Sequence, residues 1–282
     1  GARITASASQ PTVELRVRVH CTGSVFTCAE VFVESGELSP GDTVDIVFGN
    51  PSCKPPVVCE KSKTLPFRVA LDYRGDNGFR PVAETPAVQV VGNRAAYLRC
   101  FAPATPTPGK PVAVRVVAAD LENHNPAYNH QGHLTVQATN GETTRTQTLD
   151  MPKDAHGTTR VDNVLIPETG VTRIRVIDEK NSLMGETNPV CPEMAHNGLH
   201  VYFGEIHSHT ELSDGTGTCD DNFRWARDVE GLDFSALADH FEDGQSYNYT
   251  LDDKWWMTQD AVRRFYAPGR FVTLLGYESG TL

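Results

Sequence analysis

The 282-residue chain has no apolar run near the ~20 residues that cross a bilayer, so no membrane span is expected. It has no Gly-rich P-loop to cradle phosphate, no internal repeat and no low-complexity tract. Basic charge is scarce in one place. Residues 200–260 hold 14 acidic and 3 basic side chains, while the rest of the chain is balanced, so the formal net charge of −11 falls there. An acidic surface repels polyanions and attracts cations, which argues against nucleic acid as a partner. The seven cysteines lack the two- to four-residue gaps of a structural zinc site. The local pairs Cys21/Cys28 and Cys53/Cys59 read instead as disulfides of a periplasmic or secreted protein, with reduced, partly buried thiols as the alternative.

Three textures follow one another. Over residues 1–99, "VELRVRVHC" alternates with period two, placing Val13, Leu15, Val17, Val19 and Cys21 on one face. "DTVDIVFG" and "FRVALDYRG" continue in that style, which predicts an antiparallel β-rich domain. Residues 100–197 repeat the pattern around an Asn-Gly turn and predict a second β-unit. Both units are expected to be immunoglobulin-like sandwiches. From residue 198 to 282 the order is strand, helix, strand, helix, strand, which predicts a parallel α/β arrangement. Asp220 is the expected N-cap of the first helix, and Phe223 and Ala226 its inward positions.

The chemistry sits at the ends of these last strands. In "EIHSHTELSDG", Glu205, His207 and His209 fall on one side of a strand, and the following loop delivers Asp214. The second strand ends in Asp239-His240 and the third in Glu278. Three successive strands ending in charged or imidazole side chains point to a metal centre, since buried charges need partners or a cation. Imidazole and carboxylate donors suit Zn, Mn or Fe. A hydrogen-bonded acidic cluster without metal is the alternative. The loop "NHNPAYNHQGH" holds His124, His130 and His133, whose spacing matches no ligand set and reads as a polar surface loop. Of the adjacent Trp255 and Trp256, one can face a core squarely; the other reading is an aromatic platform near the site.

The motifs "HSHTELSDG", "ALADH" and "GYE" resemble the first three motifs of the polymerase and histidinol phosphatase (PHP) superfamily, in the bacterial branch with a β-rich N-terminal region. The resemblance covers residues 200–282. It implies a distorted β/α barrel and two or three divalent transition-metal ions. His207, His209, Asp214, His240 and Glu278 match the family's metal-ligand positions, and Asp239 is expected as an orienting neighbour of His240. The family's later histidines and its final Asp-x-His motif would lie beyond Glu278. The resemblance therefore implies either that the sequence is a fragment or that a second polypeptide completes the barrel, the second being the preferred expectation.

The expected function is hydrolysis of a small-molecule ester, foremost a phosphoester, by metal-activated water, with Glu205 or Asp239 assisting proton transfer. Hydrolysis or lyase chemistry on a sugar or amide is a second expectation. A non-catalytic binding or adhesion protein with a vestigial PHP unit is a third.

Overall fold

The computed structural model describes all residues except 1–3, 23–25, 49–60, 68, 77, 83–85, 142, 153, 195–197, 242–249 and 280–282, and the side chains of 20–22, 26–28 and 66. The expected disulfides Cys21/Cys28 and Cys53/Cys59 lie outside the described residues. Cys100, Cys191 and Cys219 are free thiols, and burial pushes Cys100 and Cys219 up to about 12. The chain forms two compact units, Gly1–Val58 and Cys59–Leu282.

The first unit holds two antiparallel pairs, Ile4–Ala8 with Val44–Phe48 and Glu14–Thr22 with Phe26–Ser35. The period-two reading of "VELRV" is visible here. Leu15 and Val17 are half-buried while Glu14, Arg16 and Arg18 face solvent. Residues 63–90 of the second unit add two more short antiparallel pairs.

A seven-stranded sandwich follows. Strands β1 (Tyr97–Phe101), β2 (Val112–Ala119), β3 (His133–Thr139), β4 (Thr144–Asp150), β5 (Thr158–Val164), β6 (Arg173–Asp178) and β7 (Leu183–Glu186) divide between two sheets. One has the order β5-β2-β1 and the other β4-β3-β6-β7, all antiparallel. Alternate residues meet between the sheets: Val114 and Val116 from β2, Leu134 and Val136 from β3, Ile174 and Val176 from β6. Each is almost fully buried, and each such side chain contributes about 1.5–3 kcal/mol of transfer free energy.

The C-terminal segment is a parallel α/β unit. Strands β8 (Gly204–Ser208), β9 (Phe234–Leu237) and β10 (Val272–Leu275) lie in that order, paired in parallel. Between them run α1 (Cys219–Arg224), continued by a wider turn over Trp225–Val229, and α2 (Leu251–Phe265). The sheet is open, and no barrel closes among the described residues. The N-cap of α1 is Thr218, correcting the expectation of Asp220. Thr218 Oγ1 accepts from Asp221 N, and Asp221 in turn accepts from Thr218 N, a reciprocal box that Asp220 cannot form from inside the first turn. Thr250 and Asp253 build the same box on α2. Phe223 and Ala226 are buried as expected. Phe223 packs its ring 5.6 Å from Phe265 and 6.3 Å from Phe271, pinning both helical segments to the sheet.

The sandwich and the α/β segment share a second, smaller core of Val117, Ala119 and Val229, flanked by Tyr97 and Trp225. Ion pairs frame it. Arg99 Nη2 lies 2.6 Å from Glu230, and Arg115 Nη1 lies 2.7 Å from Asp228.

Candidate metal centre

The ends of the three parallel strands are stitched together beyond their ladders. Ala238 N donates to Ser208 O (2.8 Å), Glu278 N to Asp239 O (3.1 Å) and Phe241 N to Glu278 O (3.3 Å). His240 and Glu278 face each other across an isolated parallel bridge. The backbone itself therefore brings His207, His209, His240 and Glu278 to one edge of the sheet.

The loop after β8 supplies Asp214. It is closed by Glu211 N to Gly217 O (2.9 Å), and Gly217 takes a φ of +80° that other residues rarely adopt. Gly215 passes so close to β8 that a Cβ there would meet the His209 carbonyl at 2.3 Å. Asp239, 1% exposed, ties the loop down from beneath. It accepts from Thr210 N (2.7 Å), Thr210 Oγ1 (2.8 Å) and Ser213 Oγ (2.6 Å).

These constraints converge on two overlapping donor sets, His207/His209/Glu278 and His209/Asp214/His240, each with one ligand atom per residue within 4.8 Å of the others. Glu278 Oε2 lies 2.9 Å from His207 Nε2, 3.0 Å from His209 Nε2 and 3.8 Å from His240 Nδ1. Asp214 Oδ1 lies 2.6 Å from His209 Nδ1, and its Oδ2 lies 3.7 Å from His240 Nε2. Thus all five residues expected as ligands are neighbours. Glu205 belongs to neither set. Its Oε1 turns back to accept His207 N at 2.7 Å.

The donors fit a cation. His209 Nε2 is buried and has no hydrogen-bond partner, although a carboxylate oxygen stands 3.0 Å away in poor alignment. With the Nδ1 proton donated to Asp214, Nε2 presents a lone pair to the Glu278 lone pairs, and two acceptors at that distance need a positive charge between them. Without metal, the surrounding carboxylates favour a proton in that place. Burial pushes the His209 pKa down, but Asp214, Asp239 and Glu278 outweigh it and the pKa is raised. The hydrogen bond from His209 lowers Asp214, and the one from His207 lowers Glu278.

A cleft of about 530 Å³ opens beside His209, lined by Lys61, Lys63, Ser208, Asn222, Trp225 and Ser235 among others. On another side, Trp255 meets Phe241 and Tyr277 edge to face, and the three rings gather around a smaller hollow of about 240 Å³. Trp255 is the half-buried member of its pair, and Trp256 is 62% exposed. The histidines of the earlier loop disperse to separate partners: His124 to Tyr97, His130 to Asp178 and His133 to Asp150. Sequence reasoning missed the bonds of Asp239, whose partners lie 26 and 29 residues away.

No family model matches the chain, and no curated protein matches it. Among solved structures, one described as "Structure of PhoD" is similar over 63% of this chain and 38% of its own, at 12% identity and a TM-score of 0.27. The chain thus spans well under half the length of that structure. So shallow a likeness leaves the geometry of the site as the ground for a functional reading.

Proposed function

We propose that residues 200–282 form part of a PHP-like metal centre and that the protein hydrolyses a small-molecule phosphoester. The observation that carries this reading is the buried, unpartnered Nε2 of His209 facing Glu278 at 3.0 Å, where the two donor sets overlap. Two or three divalent ions of Zn, Mn or Fe would supply an activated water and offset charge on the attacked oxygens. The chain's own residues prepare that chemistry. Asp214 fixes the His209 tautomer, Glu278 gathers three imidazoles, and Asp239 holds the loop that carries Asp214. Glu205, exposed beside the histidines, is the proposed proton carrier.

The cleft beside His209 offers room for a small substrate, and the acidic surroundings disfavour a long polyanion. On the three-stranded sheet, Ile206, Leu274 and Leu275 remain 62%, 43% and 46% exposed. This supports a further proposal, that a second polypeptide covers the sheet and completes a barrel. The three-plus-four division of the sandwich supports an immunoglobulin-like assignment. Periplasmic or secreted location is proposed from the cysteine pairs alone.

The aromatic trio favours a second reading, a sugar substrate stacked on the exposed Tyr277 ring beside half-buried Phe241 and Trp255. Elemental analysis of natively purified protein should find about two transition-metal ions per complete site. Phosphomonoesters, phosphodiesters and glycosides assayed with Mn²⁺ or Zn²⁺ then separate the readings. Turnover of glycosides alone shifts the assignment to sugars, and absence of both metal and turnover leaves a binding module.

A further inference from the structure

The inward stripe of α2 is Lys254, Thr258, Ala261 and Phe265. Ala261 and Phe265 are ordinary packing residues, and Thr258 Oγ1 donates to the Lys254 carbonyl at 2.9 Å. Lys254 is 1% exposed, and an ammonium is a costly group to bury. It also sits in the first turn of the helix, where the backbone dipole disfavours a cation. Leu or Met would fill the same stripe without either cost. What Lys254 adds is a charge-assisted hydrogen bond: Nζ donates to the backbone carbonyl of His240 at 2.9 Å.

That carbonyl belongs to the junction of both donor sets. The His240 imidazole reaches Asp214 at 3.7 Å on one side and Glu278 at 3.8 Å on the other. Its backbone forms the bridge to Glu278. The preceding residue, Asp239, anchors the Asp214 loop from the other direction. The segment after β9 is therefore gripped from α2 by Lys254 and from the β8 loop by Thr210 and Ser213.

We infer that Lys254 is a positioning residue for the metal centre: through the His240 carbonyl it sets where that imidazole stands relative to Asp214 and Glu278. The inference rests on the metal-centre reading above. Outer partners that orient a metal ligand typically change affinity about 10–100-fold when lost, and Lys254 acts on the main chain of such a ligand.

The test is titration of the full chain with Co²⁺, read by its visible d–d absorption, beside thermal unfolding. Lys254→Met should fold and bind Co²⁺ at least about 10-fold more weakly, with a displaced band. Lys254→Arg, which keeps a charged donor, should recover part of the affinity. Ala261→Gly, two turns along the same stripe, should lower the melting temperature and leave the spectrum unchanged, which a merely structural role for the stripe would not predict. Should Lys254→Met fail to fold, Lys254→Gln is read in the same way. Native affinity and an unshifted band in whichever variant folds overturn the role of Lys254. If the native chain itself shows no d–d band, the metal-centre reading fails, and this role fails with it.

Discussion

His209 Nε2 and Glu278 Oε2 stand 3.0 Å apart without a hydrogen bond between them. Carboxylates normally attract a donor at that distance, but the donor of this imidazole faces Asp214 at 2.6 Å. A proton or a metal ion must reconcile the pair. His209→Ala removes the residue common to both donor sets, so metal content should fall to background. His240→Ala removes one set and should at least halve it. Neither change touches the sandwich core, so the β-sheet circular dichroism should persist. Native metal content in both variants would sink the ligand assignment.

Gly215 offers a second handle on the same centre. A methyl group there would meet the His209 carbonyl carbon and oxygen at 2.3 Å and Thr210 N at 2.6 Å. Backbone atoms are the obstacle, so the loop must move as a whole and carry Asp214 away from His209 and His240. Gly215→Ala should lower stability by about 1–3 kcal/mol, the usual range for overpacking, and weaken metal binding. Urea unfolding and isothermal titration with Mn²⁺ or Zn²⁺ measure the two effects. Unchanged metal affinity would show that Asp214 is dispensable.

The α/β segment was legible in sequence because its signals are local. Short, largely apolar strands run up to His and Glu, and helices lie between Thr and Gly. The expected ligands came together because the C-terminal ends of adjacent parallel strands necessarily share one edge. The N-cap was displaced by two residues because Thr218 and Asp220 are both good capping types, and only the reciprocal bond to Asp221 decides between them. Lys254 was invisible for a different reason. A lysine in a helical pattern reads as solvent-facing, and its burial depends on where the His240 carbonyl arrives in space. Open surface on the three-stranded sheet, likewise, is a property of tertiary closure that no short window of sequence contains.

The junction between sandwich and α/β segment should loosen in acid. Burial pushes Asp228 up, but Arg227 and Arg115 overcome it and the pKa ends below the ordinary value. Glu230 follows the same balance, with burial opposed by Arg99 and Trp225. Carboxylates depressed in the folded state stabilise it above their unfolded pKa, near 4, and lose that contribution as pH falls through the folded values. Stability should therefore decline below about pH 4 more steeply in the native chain than in Arg115→Met. At neutral pH that substitution should cost about 1–2 kcal/mol, between an exposed pair and a buried one. Parallel acid-unfolding curves for the two proteins would exclude the linkage.

Asp239 precedes His240 and could serve either as a proton carrier or as an anchor, and its bonds separate these roles. Oδ1 accepts Thr210 N and Ser213 Oγ, while Oδ2 accepts Thr210 Oγ1. Asn at this position keeps one acceptor and turns the other into a donor. Thr210 Oγ1 already accepts Leu212 N at 3.2 Å, so its own proton would lose its partner in a buried place. That loss should cost about 1–3 kcal/mol, and the loosened loop should hold Asp214 less firmly. An anchor therefore predicts that Asp239→Asn lowers thermal stability and metal affinity together, and that turnover recovers at saturating Mn²⁺ or Zn²⁺. A proton carrier predicts native metal affinity with turnover lost at every metal concentration. Three hydrogen bonds to a residue 1% exposed favour the first outcome, and metal titration of activity in Asp239→Asn decides between them.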